Sequence, residues 1–216
     1  MRHLLALGAL ALVATPAFAQ EVSVSGNVAL TTDYHWRNVT QSNQDIAIQG
    51  GLDVDFGNGF SLGTWASSVD FQDEPDDTNV EVDFYGAYGW SAGGADFSVG
   101  AIYYTYPDAE DSDLNFFELN AGVSKEFESG VSLGGTINWD PDNETVYADF
   151  STGYSFSDAF SVDAGYGKYL DGFGEYGGWN LGGTWSVMGV DLDLRYYDND
   201  MSGDNDNVVF SIGKSM

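Results

Sequence analysis

The chain has 216 residues, with 28 glycines, four prolines and no cysteine, and it carries 34 Asp and Glu against 6 Lys and Arg, a formal charge of −28. Without cysteine there are no disulfide scaffolds, thiolate metal sites or Cys nucleophiles. A chain this acidic lacks the basic face that phosphate contacts require, which excludes nucleic acid as a partner; with 15% aromatic residues it does not read as acidic disorder either.

The first nineteen residues form one element. Arg2 and His3 precede an apolar run from Leu4 to Val13, and small residues close it in an A-x-A pattern at Ala17-Phe18-Ala19. That pattern predicts a secretory signal peptide over 1–19 and an exported body over 20–216. The run is too short for a spanning helix, which needs roughly 20 apolar residues. Without Arg2, 5 basic residues remain against 34 acidic ones.

From there period-2 alternation recurs to the end and helical periodicity is nowhere sustained. Twelve segments alternate, near 22–37, 44–56, 60–71, 78–91, 95–106, 113–127, 131–139, 144–156, 159–169, 176–187, 189–198 and 206–214. In 79–90, Val80, Val82, Phe84, Tyr88 and Trp90 share one face, while Asn79, Glu81, Asp83, Tyr85 and Ala87 share the other. The connections are of two kinds. Tight ones are Gly57-Asn58-Gly59, Ala92-Gly93-Gly94, Glu128-Ser129-Gly130, Ser157-Asp158 and Met188-Gly189, with Gly, Asn or Asp where hairpin turns need positive φ. Longer, mostly acidic ones lie at 72–77, 107–113, 140–144, 170–175 and 198–206. The two kinds alternate strictly, so each belongs to one end of the sheet. Outer-membrane barrels have that asymmetry, with short periplasmic turns and longer extracellular loops.

A soluble β-sandwich also alternates, and charge placement separates the two folds. The apolar phase of the clear strands holds no mid-strand Asp or Glu, and Lys125, Lys168 and Lys214 of that phase sit near strand ends, where a long side chain reaches an interface. Aromatics gather near strand ends as girdles do, at Tyr34, Trp36, Trp90, Tyr103 to Tyr106, Trp139, Tyr166, Trp185, Tyr196 and Tyr197. The expectation is an all-β, antiparallel, up-and-down transmembrane barrel of about 12 strands.

Catalytic signals are sparse. His35 is the single histidine of the exported body, and one His beside Asp33 is weak support for a Ser-His-Asp site. No P-loop, zincin or Rossmann fingerprint is present, so neither an enzyme nor a cofactor is expected. The 198–206 segment has the oxygen density of a calcium loop without EF-hand spacing, and no metal site is assigned. Function is sought in the polar phase, where Asp33, Asp53, Asp55, Glu81, Asp83, Glu118, Asp149, Asp163, Asp191 and Asp193 are spread among Gly, Ser, Thr and Asn. Lumen selectivity is assigned to Asp83, Glu118, Asp149 and Asp193, with Arg37 and Arg195 as countercharges. Carboxylate-lined pores favour cations, so a passive channel for small solutes is expected. The alternative is a non-conducting barrel, or a secreted β-module, that binds through its acidic loops.

Trp36-Arg37, Val39-Thr40-Gln41 and Gln49-Gly50-Gly51, followed by Trp65-Ala66-Ser67, Glu81-Val82-Asp83-Phe84-Tyr85 and Tyr104-Thr105-Tyr106-Pro107, resemble the TorF-family (Gcw_chp) porins, a proteobacterial exported family. Asn38 stands where that pattern has Gly, and Asn tolerates a left-handed turn. The resemblance implies an outer-membrane barrel, contact with membrane lipid and insertion by the barrel-assembly machinery, to which Met216 offers no terminal aromatic.

Overall fold

The structure, a computed structural model, describes residues 21–71, 78–109, 114–172, 176–202 and 206–216. The expected signal peptide at 1–19 and the connection at 72–77 lie outside the described residues, as do parts of the long connections at 107–113, 170–175 and 198–206.

Fourteen strands are described. β1 (Ser23–Thr31) is followed by a two-residue pair, β2 (His35–Trp36) and β3 (Val39–Thr40). Then come β4 (Ala47–Asp55), β5 (Phe60–Ser68), β6 (Val80–Ala92), β7 (Ala95–Thr105), β8 (Phe116–Glu126) and β9 (Val131–Asp140). The last five are β10 (Thr145–Ser157), β11 (Phe160–Asp171), β12 (Gly177–Val187), β13 (Val190–Asn199) and β14 (Asn207–Ser215). Except for β2 and β3, they form one closed antiparallel barrel of twelve strands, each paired with its chain neighbours and sealed where β1 meets both β4 and β14. Closure leaves no row of unpaired backbone groups, as a wall in hydrocarbon requires. Strand lengths of 9–13 residues suit a tilted crossing, which takes about 9–11.

Alternation sorts side chains between the two faces. Ile48, Leu52, Phe84, Ile137, Phe150, Leu181 and Leu194 are exposed on the outside, an apolar surface that water would not stabilise. Phe60, Tyr88, Trp90 and Phe97 stack in series toward the tight-turn end. Trp139, Tyr166, Trp179 and Tyr196 stand toward the long-connection end. These two bands match the girdles at the edges of a hydrocarbon layer.

Two expectations are corrected. The first strand ends at Thr31 instead of continuing to Arg37, and residues 32–46 leave the wall and fold inward. Five aromatics assigned to the outer girdle face the interior: Tyr34, Trp36, Tyr104, Tyr106 and Tyr197. Tyr34 and Trp36 belong to the inward segment, while Tyr104 and Tyr197 occupy the lumen phase of β7 and β13. The alternation of Asp33, His35 and Arg37 with Tyr34 and Trp36 is genuine, but it belongs to a different hairpin.

Candidate functional site

That hairpin is the main feature of the lumen. β2 and β3 pair His35 with Thr40 and Trp36 with Val39, leaving Arg37 and Asn38 as a two-residue turn. Their φ values are 52° and 65°, the double positive φ of a type I′ turn. Asn38 accepts this readily; Arg37 does so at a cost of about 1–2 kcal/mol. What holds Arg37 there is its set of partners on the facing wall. Its Nη2 donates to Glu118 Oε1 at 2.5 Å and its Nη1 to the Tyr169 hydroxyl at 2.7 Å. Its guanidinium carbon lies 4.1 Å from the Trp36 ring centre and 4.4 Å from that of Tyr147. Charge-assisted hydrogen bonds of this kind contribute about 1.5–3 kcal/mol each, more than the backbone strain. Burial works most strongly against the charge on Arg37, but the Glu118 carboxylate, Tyr169 and Tyr104 together outweigh it and raise the pKa above its ordinary value.

Asn38 docks on β12 and β13. Its side-chain oxygen accepts from Asn180 Nδ2 at 2.8 Å, and its carbonyl accepts from Asn199 Nδ2 at 2.8 Å. The approach needs Gly178, since a Cβ there would stand 2.6 Å from that of Asn38. Tyr34 donates to Glu81 Oε1 on β6 at 3.1 Å and packs against Trp65, with ring centres 5.3 Å apart. Tyr34, Ala47 and Val69 form a small buried apolar cluster beneath the segment.

Asp33 ties the base of the hairpin together. It accepts from the Thr40 hydroxyl at 2.7 Å, the Ser42 hydroxyl at 3.0 Å and Asn207 Nδ2 at 2.6 Å, and it lies 2.8 Å from His35 Nε2. Burial alone would raise its pKa; His35, Thr40 and Ser42 outweigh that and hold the carboxyl below its ordinary range. His35 stacks on Tyr197 with ring centres 4.1 Å apart. Ser42 bonds to Asp33 and not to His35, which is the wrong order for a serine relay, where the imidazole must take the hydroxyl proton.

The carboxylates singled out for selectivity sit at staggered heights. Asp83 is the fourth residue of β6, Glu118 the third of β8 and Asp149 the fifth of β10, all counted from the long-connection end. Asp193 is the fourth residue of β13 from the opposite, tight-turn end. Glu118 is paired with Arg37. Asp193 shares Arg195 with Asp163: the guanidinium donates to Asp163 at 2.6 and 2.8 Å, to Asp193 at 3.3 Å and to Asn180 Oδ1 at 2.7 Å. Asp149 accepts from the Thr136 hydroxyl at 2.8 Å, and Asp53 accepts from the Tyr85 hydroxyl at 2.6 Å. Among the described residues no basic side chain pairs with Asp53, Glu81, Asp83 or Asp149. The expectations did not single out the Asp33 network, the Asn38 dock or the aromatic cage around Arg37. The Trp-Arg-Asn run was their one local signal.

The closed antiparallel barrel is a fold shared with solved outer-membrane channels. The KdgM porin superposes with a TM-score of 0.64 at 8% identity, over 88% of this chain and 97% of that one. The NanC porin gives 0.58 at 10% identity, over 88% and 98%. The COG4313 outer membrane channel from Pseudomonas putida F1 gives 0.57 at 13%, over 94% and 98%. At these identities the likeness concerns the fold. By sequence, residues 14–214 match the family described as "Bacterial protein of unknown function (Gcw_chp)", and the chain belongs to that family. No curated protein matches it.

Proposed function

We propose that this protein is an outer-membrane channel for small solutes, exported by its signal peptide, with the long connections outside the cell and a lumen that prefers cations. The observation that carries the reading is the state of the lumen's arginines. Arg37 and Arg195 are each engaged by carboxylates, which leaves Asp53 and Asp149 as negative charge without a basic partner, while Glu81 and Asp83 hydrogen-bond to each other. Fixed charge in a narrow low-dielectric passage concentrates counter-ions. A KdgM structure of the same fold is described in complex with disordered oligogalacturonate, a polyanion. Such a solute would meet repulsion here, so small cations or neutral molecules suit this lumen better. Lipid meets the outer belt, and insertion is assigned to the barrel-assembly machinery.

One observation favours a second reading, a barrel shut at rest: the hairpin occupies the long-connection mouth with Asp33, Tyr34, His35 and Asn38 all buried. Single-channel recording of the refolded protein in planar bilayers separates the two. Discrete steps with a cation-selective reversal potential support the channel. A silent membrane containing heat-modifiable, folded protein supports the shut barrel.

A further inference from the structure

The hairpin and the lower charge cluster meet at one side chain. Asn180, on β12, donates from Nδ2 to Asn38 Oδ1 at 2.8 Å and accepts at Oδ1 from Arg195 Nη1 at 2.7 Å. Chemistry fixes the order of these two bonds. A guanidinium can only donate, so the Asn180 oxygen must face Arg195, and its nitrogen is the atom left for the hairpin. Arg195 is itself fully engaged: its five N–H groups meet Asn180, both oxygens of Asp163 and both oxygens of Asp193. Thr184 steadies Asp193 with a hydrogen bond of 2.9 Å. The wall beneath is bare. A Cβ at Gly182 would stand 2.6 Å from the Arg195 guanidinium carbon, and one at Gly165 would stand 3.0 Å from Asn180 Nδ2. Two missing side chains, on β12 and β11, thus let the guanidinium and the amide lie against the strands.

Asp163 is the member of the cluster most open to the lumen, with its side chain 31% exposed against 12% for Asp193 and 10% for Arg195. A file of hydrogen bonds therefore runs from the hairpin turn, through one amide, to a carboxylate that a passing ion meets. We propose that Asn180 is a positioning residue that couples the two. A seated hairpin holds the amide, the amide holds Arg195, and Arg195 holds Asp163, so unseating the hairpin changes the charge that the lower lumen presents. Coupling of this kind acts in both directions, so an ion drawn to Asp163 also loosens the hairpin. A side chain with only a donor or only an acceptor serves one neighbour; Asn serves both. The meaning for transport rests on the channel reading, and the contacts themselves do not.

Arginine NMR tests this without any current. Outside the expected signal peptide the chain has two arginines, Arg37 and Arg195, so the mature barrel in detergent, with its arginines isotope-labelled at nitrogen, gives one Nε–H signal for each. Glu118→Gln releases Arg37 from β8, a strand paired with neither β12 nor β13. The expected result is that the Arg195 signal shifts and its exchange with water quickens several-fold. Asn180→Asp is the discriminating variant, because a carboxylate still accepts from Arg195 and cannot donate to Asn38. In that background Glu118→Gln should leave the Arg195 signal where it is. Heat-modifiable gel migration establishes that each variant is folded, and Gly178→Ala, which presses on Asn38 itself, is the second lever should Glu118→Gln not fold. An Arg195 signal that neither lever moves would overturn the proposal, as would one that moves equally far in the Asn180→Asp background. Coupled signals in a barrel that conducts nothing would sustain the coupling and remove the channel; conductance with uncoupled signals would do the reverse.

Discussion

The two halves of the lumen are built on opposite principles. Toward the long connections the interior is packed: Trp36, Arg37, Tyr104, Tyr147 and Tyr169 fill the space, and hydrogen bonds from the hairpin reach β6, β8, β11, β12, β13 and β14. Toward the tight turns the inward positions are small, with Ser98 and Gly100 on β7, Gly122 and Ser124 on β8, Ser132 and Gly134 on β9, and Ser151 and Gly153 on β10. Asp53, Asp163 and Asp193 stand among them. Small polar side chains leave room for water, whereas a ring-filled, fully bonded mouth does not. For the proposed channel this division assigns the conductance to the hairpin and the selectivity to the wall below it.

The Arg37–Glu118 pair is the place to break that division of labour. Removing one partner of a buried ion pair costs about 3–5 kcal/mol, because the other charge is left uncompensated. Glu118→Gln is expected to unseat the hairpin and raise single-channel conductance several-fold, with the barrel still folded by gel migration. An unchanged conductance would show that the hairpin is not the constriction.

Gly178→Ala probes the same seat from β12, with a smaller effect. The added methyl meets Asn38 at 2.6 Å, and overpacking of that kind costs about 1–3 kcal/mol. Conductance should rise less than in Glu118→Gln, and hydrogen exchange should quicken at residues 35–40 and not in the twelve strands of the barrel wall.

Asp33 sharpens the comparison through pH. Its carboxyl is held below the ordinary range, so the stabilisation it gives the hairpin is complete above the unfolded carboxylate value of about 3.9 and is lost as pH falls through the lower folded value. Conductance of the parent protein should be flat from neutral pH down to about 4 and rise below that. Asp33→Asn should abolish this acid step, and an acid step of the same size in the variant would assign it to another group.

The barrel was legible in the sequence because its cause is local. Alternation along each strand and the short and long connections between strands depend on neighbours in the chain, and the structure reproduces twelve strands paired in order. The inward hairpin was hidden for the opposite reason. Thr31 to Arg37 keeps alternating, so nothing local marks the point where the chain leaves the wall; the partners that hold it, Glu118, Tyr169 and Asn180, lie 81 to 142 residues away. Asn38 was the one clue, a residue fit for positive φ at a position that the family pattern gives to Gly, and its φ of 65° is that of a type I′ turn. The lumen arginines were recognisable as countercharges, but which carboxylates they engage follows from the inward hairpin for Arg37 and from strand register for Arg195.

That register supplies the most direct test of the central claim, that uncompensated lumen carboxylates select cations. Asp53 and Asp149 have no basic partner among the described residues, so Asp53→Asn with Asp149→Asn removes charge while the Arg37 and Arg195 clusters stay intact. The measurement is the reversal potential in a KCl gradient, at low and high salt, for the parent protein and this double variant. The account predicts a cation-selective potential in the parent that shrinks in the variant at similar conductance, and that weakens in both as the screening length falls from about 10 Å at 0.1 M to about 3 Å at 1 M. A parent protein with equal permeability, or a variant as selective as its parent, would contradict it.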